Sequence, residues 1–174
     1  MQEGAKMLIS HIGQNDKIFI QVDADCDGYT SAAILINYLN CLFPHFVQTN
    51  ISYRVHDGKQ HGLLVETIPD DVKLVIAPDS SSSDYEEHAE LFKKGIDVLV
   101  LDHHEAEKFS EYACVINNQL CDYPTKALSG AGVVYKFCCY LDSLLGFDYA
   151  NDYVDLATVG IIADVMMLNS FEVR

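Results

Sequence analysis

Short apolar runs recur along the chain and alternate with longer segments in which apolar residues follow a helical period. The runs are rich in Val and Ile, which is typical of strands buried on both faces of a parallel sheet. We predict strands at residues 17–22, 51–55, 72–77, 96–101 and 113–116.

Helical patterns fill the intervals between the strands. We predict helices at residues 31–43, 84–94, 132–145 and 149–165. The first stops at Pro44, and the second carries acids in its first turn and lysines in its last, before Gly95. The alternation predicts an α/β fold, doubly wound, with a mostly parallel β-sheet of about five strands flanked by helices.

Length and composition fit a single domain over residues 1–174. No apolar stretch approaches the roughly 18 residues of a membrane span, and the N-terminus lacks the pattern of a secretory signal. The six cysteines form no C-x-x-C pair, so they predict neither a zinc ribbon nor a disulfide framework. We expect buried, reduced thiols in a cytoplasmic protein that does not contact a membrane.

The formal net charge of −15 has the wrong sign for a domain that grips nucleic acid through its own basic surface. Two explanations are open at this point. Some carboxylates can bind divalent cations, which turn an acidic site into one that attracts phosphate. Alternatively, the basic surface lies on another part of the protein.

Acids and histidines cluster directly after three of the predicted strands. They are Asp23, Asp25 and Asp27 after the first, Asp79 after the third, and Asp102, His103 and His104 after the fourth. A further acid, Asp164, falls within an apolar helix, where an unpaired carboxylate is costly to bury. Each feature alone is typical of a cap or a turn. Because ligands bind beyond the carboxyl ends of parallel strands, the joint pattern favours a metal site there.

The first cluster is not a calcium-binding EF-hand loop. It matches positions one, three, five and six of that loop, but position twelve is Ile34, which cannot bind calcium. Carboxylates together with imidazoles suit Mn²⁺ or Mg²⁺, and two ions that share a carboxylate can activate a water and steady a leaving oxygen. Cys26 is expected to point away from the acids into the core.

Four motifs in this order resemble the DHH phosphoesterase superfamily: Asp-x-Asp-x-Asp-Gly, Asp-Ser-Ser-Ser, Leu-Asp-His-His and Gly-Ile-Ile-Ala-Asp. The runs Val-Asp-Ala-Asp-Cys-Asp-Gly-Tyr-Thr-Ser-Ala and Leu-Ser-Gly-Ala-Gly-Val resemble its RecJ branch, the single-strand-specific DNA exonucleases. The resemblance spans residues 17–168. It implies a two-metal phosphodiesterase that degrades single-stranded DNA from 5′ to 3′ in DNA repair and recombination.

The resemblance also implies a set of metal ligands. Asp25 is expected to bind the first ion and Asp27 the second, with Asp79 bridging the two. The remaining members of the set are His103 and Asp164, which complete the set of ligands around the second ion, and Asp23, which either binds the first ion or supports a ligand of it.

Other residues are implied to act beside the metals. Asp102 is expected to orient His103 or another ligand through a hydrogen bond. His104 is expected to face the scissile phosphate and to stabilise charge or protonate the leaving oxygen. The loop and helix start formed by Ser129, Gly130, Ala131 and Gly132 is expected to offer backbone N–H groups to the phosphate.

The sequence departs from the superfamily in two ways. Members carry a second, smaller substrate-binding domain after a linker, whereas here residues 165–174 are all that follow Asp164, so we expect a fragment or a minimal protein without that domain. Single-stranded nucleic acid would then be held mainly through the metals. Ser80 to Ser83 stand where the RecJ branch has Asn-Gly, which indicates a variant of phage or mobile-element type.

Two other functions stay open. One is a different enzyme of the superfamily, acting on short RNA, cyclic dinucleotides or nucleotide phosphates. Those enzymes place a His where Gln21 stands, which favours the RecJ branch. The other is a non-catalytic scaffold of this fold, which would have lost motif residues that are all present here.

Overall fold

The structure, a computed structural model, describes residues 1–169. Within this range the strands are β1 (Lys17–Val22), β2 (Ile51–Val55), β3 (Val72–Pro78), β4 (Asp97–Asp102) and β5 (Cys114–Asn117). The helices are α1 (Gln2–Gly13), α2 (Cys26–Leu42), α3 (Pro44–Asn50), α4 (Tyr85–Lys93), α5 (Gly130–Leu145) and α6 (Val154–Ala163). Short 3-10 turns cover Val65–Thr67 and Ala150–Tyr153.

The five strands form one sheet in the order β2-β1-β3-β4-β5, and every neighbouring pair is parallel. This confirms the predicted α/β fold, and each strand lies close to its predicted bounds. Because the strands are parallel, their carboxyl ends share one edge of the sheet. The residues that follow β1 and β3 and those that end β4 therefore meet there.

Separate apolar layers cover the two faces of the sheet, and β3 shows how. Leu74 and Ile76 join the larger layer with residues of α1, α2 and α5, whereas Val75 and Ala77 join the smaller layer with Leu91 of α4. Successive side chains of a strand point to opposite faces of the sheet. A strand with an apolar layer on each face therefore needs consecutive apolar residues, such as Leu74 to Ala77. Truncating the fully buried Ile76 to Ala would cost about 2–5 kcal/mol of stability.

The helices differ more from their predicted bounds. The hydrophobic pattern does not predict α1 or α3, and Pro44, predicted only as a stop, is the first residue of α3. Helix α2 begins at Cys26 rather than Ser31, because the Asp25 side chain caps it by accepting a hydrogen bond from the Gly28 N–H at 2.8 Å. Helix α6 is shorter than predicted, since a 3-10 turn precedes it and it ends at Ala163.

The expectation of buried cysteines is wrong for half of them. Cys26, Cys41 and Cys121 are exposed, and Cys138 is the fully buried thiol among the six. Cys26 begins a helix rather than lying on an extended segment, so it does not alternate with its neighbours into the core. Among residues 1–169, no helix is both long and apolar enough to cross a bilayer.

Candidate metal centre

Asp79 lies at the centre of the carboxyl edge, directly after β3. Its backbone has a φ of 65°, a left-handed conformation that Asp adopts more readily than most residues, and its N–H donates to the Leu101 carbonyl at 2.8 Å. The residue is 1% exposed. Gly130 packs so closely that a Cβ there would lie 2.2 Å from Asp79 Oδ1. The turn and the glycine together hold a carboxylate in an enclosed position.

His103 brings three carboxylates to one point. Its Nε2 lies 3.3 Å from Asp79 Oδ1, 3.7 Å from Asp27 Oδ2 and 3.6 Å from Asp164 Oδ2. Asp79 Oδ1 and His103 Nε2 are both buried, yet neither forms a hydrogen bond. Buried polar atoms are rarely left unpaired in proteins, so this convergence fits a site that binds a cation.

Asp164 reaches this point from the end of α6. It follows Ala163, and its side chain is 34% exposed, so the expectation of an acid inside an apolar helix is wrong. The helix passes close to Asp27, because a Cβ on Gly160 would lie 2.3 Å from Asp27 Oδ1. The glycine of the Gly-Ile-Ile-Ala-Asp run therefore allows the approach that delivers Asp164.

Asp27 is held by the start of α5. Its Oδ1 accepts hydrogen bonds from Ser129 Oγ at 2.8 Å and from the Ala131 N–H at 3.1 Å, and its Oδ2 accepts one from the Gly130 N–H at 2.6 Å. The sequence predicts these donors, with Gly132, as contacts of a substrate phosphate. In the structure they surround a protein carboxylate at the positive end of a helix. A contact between Ser129–Gly132 and a substrate stays a prediction.

The predicted ligands, together with His104, lie in three overlapping sets, and within each set the ligand atoms are within 4.8 Å of one another. The sets are Asp23 with Asp25 and Asp79, Asp27 with His103 and Asp164, and Asp79 with His103 and His104. Asp79 and His103 each belong to two of them, and of these two residues Asp79 has the carboxylate that can bridge two ions. Asp25, which caps α2, uses Oδ1 for the cap and is exposed to solvent.

Asp102 is directed at His104 rather than at the ring of His103. Its Oδ1 accepts hydrogen bonds from His104 Nδ1 at 2.8 Å and from the His103 N–H at 2.7 Å, and its Oδ2 accepts one from the Ser82 N–H at 3.0 Å. Burial raises the pKa of the Asp102 carboxyl, but the hydrogen bonds from His104 and Ser82 outweigh it and hold that pKa well below its usual range. An ionised carboxylate only accepts, so His104 Nδ1 is the donor and Nε2 is left for other contacts.

Three polar residues at this edge are not predicted from the sequence. Asn117, which ends β5, donates to Ser82 Oγ at 2.7 Å and to the His104 carbonyl at 2.8 Å. His56 Nδ1 and His61 Nδ1 lie 3.2 Å and 2.5 Å from the two oxygens of Asp23. His56 and Asn117 obey the rule that finds the other site residues, since one follows β2 and the other ends β5. His61 carries no comparable signal.

Crowding of acids gives the centre an unusual charge state. Burial, reinforced by the neighbouring Asp27 and Asp25, raises the pKa of Asp79 to about 10. Burial also raises the pKa of Asp23, but hydrogen bonds from His61 and His56 outweigh this and lower it to about 2. Bound divalent cations would relieve the repulsion around Asp79. The donor set, carboxylate oxygens with one or two imidazoles, fits Mn²⁺ or Mg²⁺.

Residues 17–161 match the DHH family, N-terminal domain. The chain belongs to the DHH family. Among its relatives, YorK, a prophage-derived protein of Bacillus subtilis (strain 168) whose name assigns it provisionally as a single-strand DNA-specific exonuclease, is 47% identical over 175 residues. That alignment covers 100% of this chain and 30% of YorK. The single-stranded-DNA-specific exonuclease RecJ of Thermus thermophilus is 32% identical, over 97% of this chain and 25% of the relative.

The DHH fold assignment agrees with solved structures. A crystal structure of exonuclease RecJ bound to manganese superposes with a TM-score of 0.85 at 28% identity, covering 98% of this chain and 44% of that one. The similarity to RecJ thus extends over nearly the whole of this DHH chain, as the motifs indicate. It spans less than a third of the length of the two curated relatives.

Proposed function

We propose that this DHH chain is the catalytic domain of a metal-dependent nuclease that hydrolyses single-stranded DNA as a 5′ to 3′ exonuclease. The observation that carries the proposal is that two buried atoms able to bind a metal, Asp79 Oδ1 and His103 Nε2, lie 3.3 Å apart and that neither forms a hydrogen bond. The similarity to YorK and RecJ, which are named as single-strand DNA-specific exonucleases, supports the substrate. The 5′ to 3′ polarity is what the resemblance of the motifs to the RecJ branch implies. We further propose that it acts in the cytoplasm, where single-stranded DNA arises during repair and recombination.

The ligand sets suggest how two Mn²⁺ or Mg²⁺ ions would be held. Asp25 and Asp79 would hold the first, and Asp79 would share the second with Asp27, His103 and Asp164. Such a pair supplies an activated water and charge stabilisation at the phosphorus. The donors from α5 fix the Asp27 carboxylate and thereby the direction in which it offers its remaining lone pairs.

His104 is the residue best placed to act on the substrate. Its side chain is 47% exposed, and the hydrogen bond to Asp102 both fixes the ring and raises the pKa of His104, although burial lowers it. The ring therefore presents Nε2 at the mouth of the site, where the protonated form can donate to a phosphate oxygen or give a proton to the leaving oxygen. Asp102 acts through this ring and not on the substrate.

The chain itself offers little to the rest of a DNA strand. With 11 Lys and Arg against 26 Asp and Glu, phosphate groups away from the metals meet a repulsive surface. We therefore propose that single-stranded nucleic acid is held mainly at the metals, and by further parts of a longer protein where these exist.

The test offers 5′-labelled and 3′-labelled strands of DNA and of RNA to the protein with Mn²⁺. We expect release of mononucleotides from the 5′ end of DNA, loss of activity to background in Asp79→Asn, and full activity in Asp70→Asn. Asp70 is an exposed acid just before β3, at the opposite end of that strand from the site. Release from RNA alone would assign another substrate of the DHH family, and equal activity of both variants would contradict the proposed centre.

A further inference from the structure

The candidate metal centre contains the same arrangement of side chains twice: a buried carboxylate that contacts the Nδ1 of a half-exposed histidine. One pair is Asp102 with His104, at 2.8 Å, and the other is Asp23 with His61, at 2.5 Å. The side chains of His104 and His61 are 47% and 53% exposed, whereas those of Asp102 and Asp23 are 0% and 11% exposed. In both histidines Nε2 makes no hydrogen bond among the described residues.

The two imidazoles lie edge to face at the mouth of the site. Their ring centroids are 5.4 Å apart, with an interplanar angle of 74°. In the protonated form each ring carries an Nε2–H besides the Nδ1–H directed at its carboxylate, and two neighbouring donors of this kind can contact one phosphate group, which offers several acceptor oxygens. In a chain of net charge −15, such donors supply phosphate contacts that lysines and arginines do not.

The position of His61 is fixed by the loop that carries it. His56 is 4% exposed and spans the base of this loop, with Nδ1 3.2 Å from Asp23 Oδ1 and Nε2 2.8 Å from the Gly62 carbonyl. On the far side the Leu63 N–H donates to Asp84 Oδ2 at 2.7 Å. The loop is therefore tied at both ends, and Asp23 receives His61 from a defined direction.

We propose that His61 is a second phosphate-contacting residue of the centre, and that Asp23 and His56 are positioning residues for it rather than metal ligands. The inference rests on the proposed nuclease function. The rival assignment is that Asp23 ligates an ion, since one of its oxygens lies within 4.8 Å of ligand atoms of Asp25 and Asp79. The contacts of Asp23 favour a positioning role over metal binding. Its Oδ1 already accepts a hydrogen bond from the Ala24 N–H at 2.9 Å and contacts His56, while its Oδ2 contacts His61.

The first test is steady-state kinetics of His61→Ala on a short DNA strand with Mn²⁺. Loss of one hydrogen bond to a charged phosphate should raise KM by on the order of ten-fold or more, with kcat within about three-fold of the wild type. His61→Gln, whose amide can donate from a similar place, should recover part of the loss. His45→Ala, which removes an exposed histidine of α3, is the matched control and should leave KM unchanged. An unchanged KM in His61→Ala would overturn the proposal.

The second test separates positioning from ligation by calorimetric titration of Asp23→Asn with Mn²⁺. We expect the same number of bound ions and nearly the same affinity as the wild type, together with the raised KM of His61→Ala. The double variant should show no additional loss, because Asp23 acts through His61. Loss of one ion from Asp23→Asn would show that Asp23 is a ligand. The titration needs no turnover, so it decides this point even if the wild type cleaves no strand and the nuclease proposal fails.

Discussion

Replacing Asp79 with Asn should stabilise the metal-free protein while it removes metal binding. The Asn side chain keeps the shape of Asp and tolerates the left-handed backbone at this position, φ 65°, better than Ala. It cannot be ionised. The change therefore isolates the charge of one buried carboxyl, which is 1% exposed.

The magnitude follows from the pKa of Asp79, which burial and the neighbouring Asp27 and Asp25 raise from 3.8 to about 10. Between these values the folded state keeps a proton that the unfolded chain has lost, so stability falls as the pH rises through this window. At pH 7 the span is roughly three pH units, and at about 1.4 kcal/mol per unit the penalty is on the order of 4 kcal/mol. Asp79→Asn should recover most of it.

The assay is urea denaturation of both proteins in EDTA at several pH values. The stability advantage of Asp79→Asn should be about 1–2 kcal/mol near pH 5 and should grow by up to about 1.4 kcal/mol per pH unit toward pH 8. Shifts at other groups that keep their surroundings occur in both proteins and cancel in the difference. A difference that does not change between pH 5 and pH 8 would show that the folded state does not raise the pKa of Asp79, and destabilisation at every pH would show that Asp79 is a structural turn residue.

Three further results are expected. Gly130→Ala should weaken Mn²⁺ binding, measured by calorimetry, because its Cβ would lie 2.2 Å from Asp79 Oδ1. Gly13→Ala, whose Cβ would meet nothing within 4 Å, is the control, and equal affinity in both variants would count against the enclosed site. His104→Ala should lower turnover by on the order of 10²–10⁴-fold and leave Mn²⁺ binding intact, whereas undiminished turnover would exclude it as an acid. In EDTA the chain should bind long single-stranded DNA poorly by fluorescence anisotropy, and tight binding would contradict the argument from its charge of −15.

The sequence predicts the sheet and the site residues that follow its strands, because buried parallel strands leave a strong local signal and their carboxyl ends converge by topology. It does not predict what the surroundings decide. The donors of α5 are directed at Asp27, and Asp102 orients His104 rather than the ring of His103. These contacts join residues far apart in sequence or depend on ring orientation, which no periodicity encodes.

The helix boundaries show the same limit at short range. The cap by Asp25 starts α2 ahead of its apolar stretch, so the apolar pattern alone misses the first turn and places Cys26 in the core. His61 is a site residue that lies in the loop after β2, outside any helix or strand, so no periodic pattern indicates it. Its place depends on the loop ties at His56 and Leu63, which become visible only in three dimensions.

The most direct test of the metal centre is a calorimetric titration of the purified protein with Mn²⁺, beside Asp79→Asn and the Asp70→Asn control. We predict two bound ions per chain in the wild type and in Asp70→Asn, and a thermal melt of each should show a higher melting temperature with Mn²⁺, because the ions bind the folded state. Asp79→Asn should bind Mn²⁺ weakly and show no rise in melting temperature, since the shared carboxylate is lost from both positions. Wild-type protein that binds no Mn²⁺, or Asp79→Asn that binds both ions as tightly as the wild type, would show that the chain has no two-metal centre at Asp79.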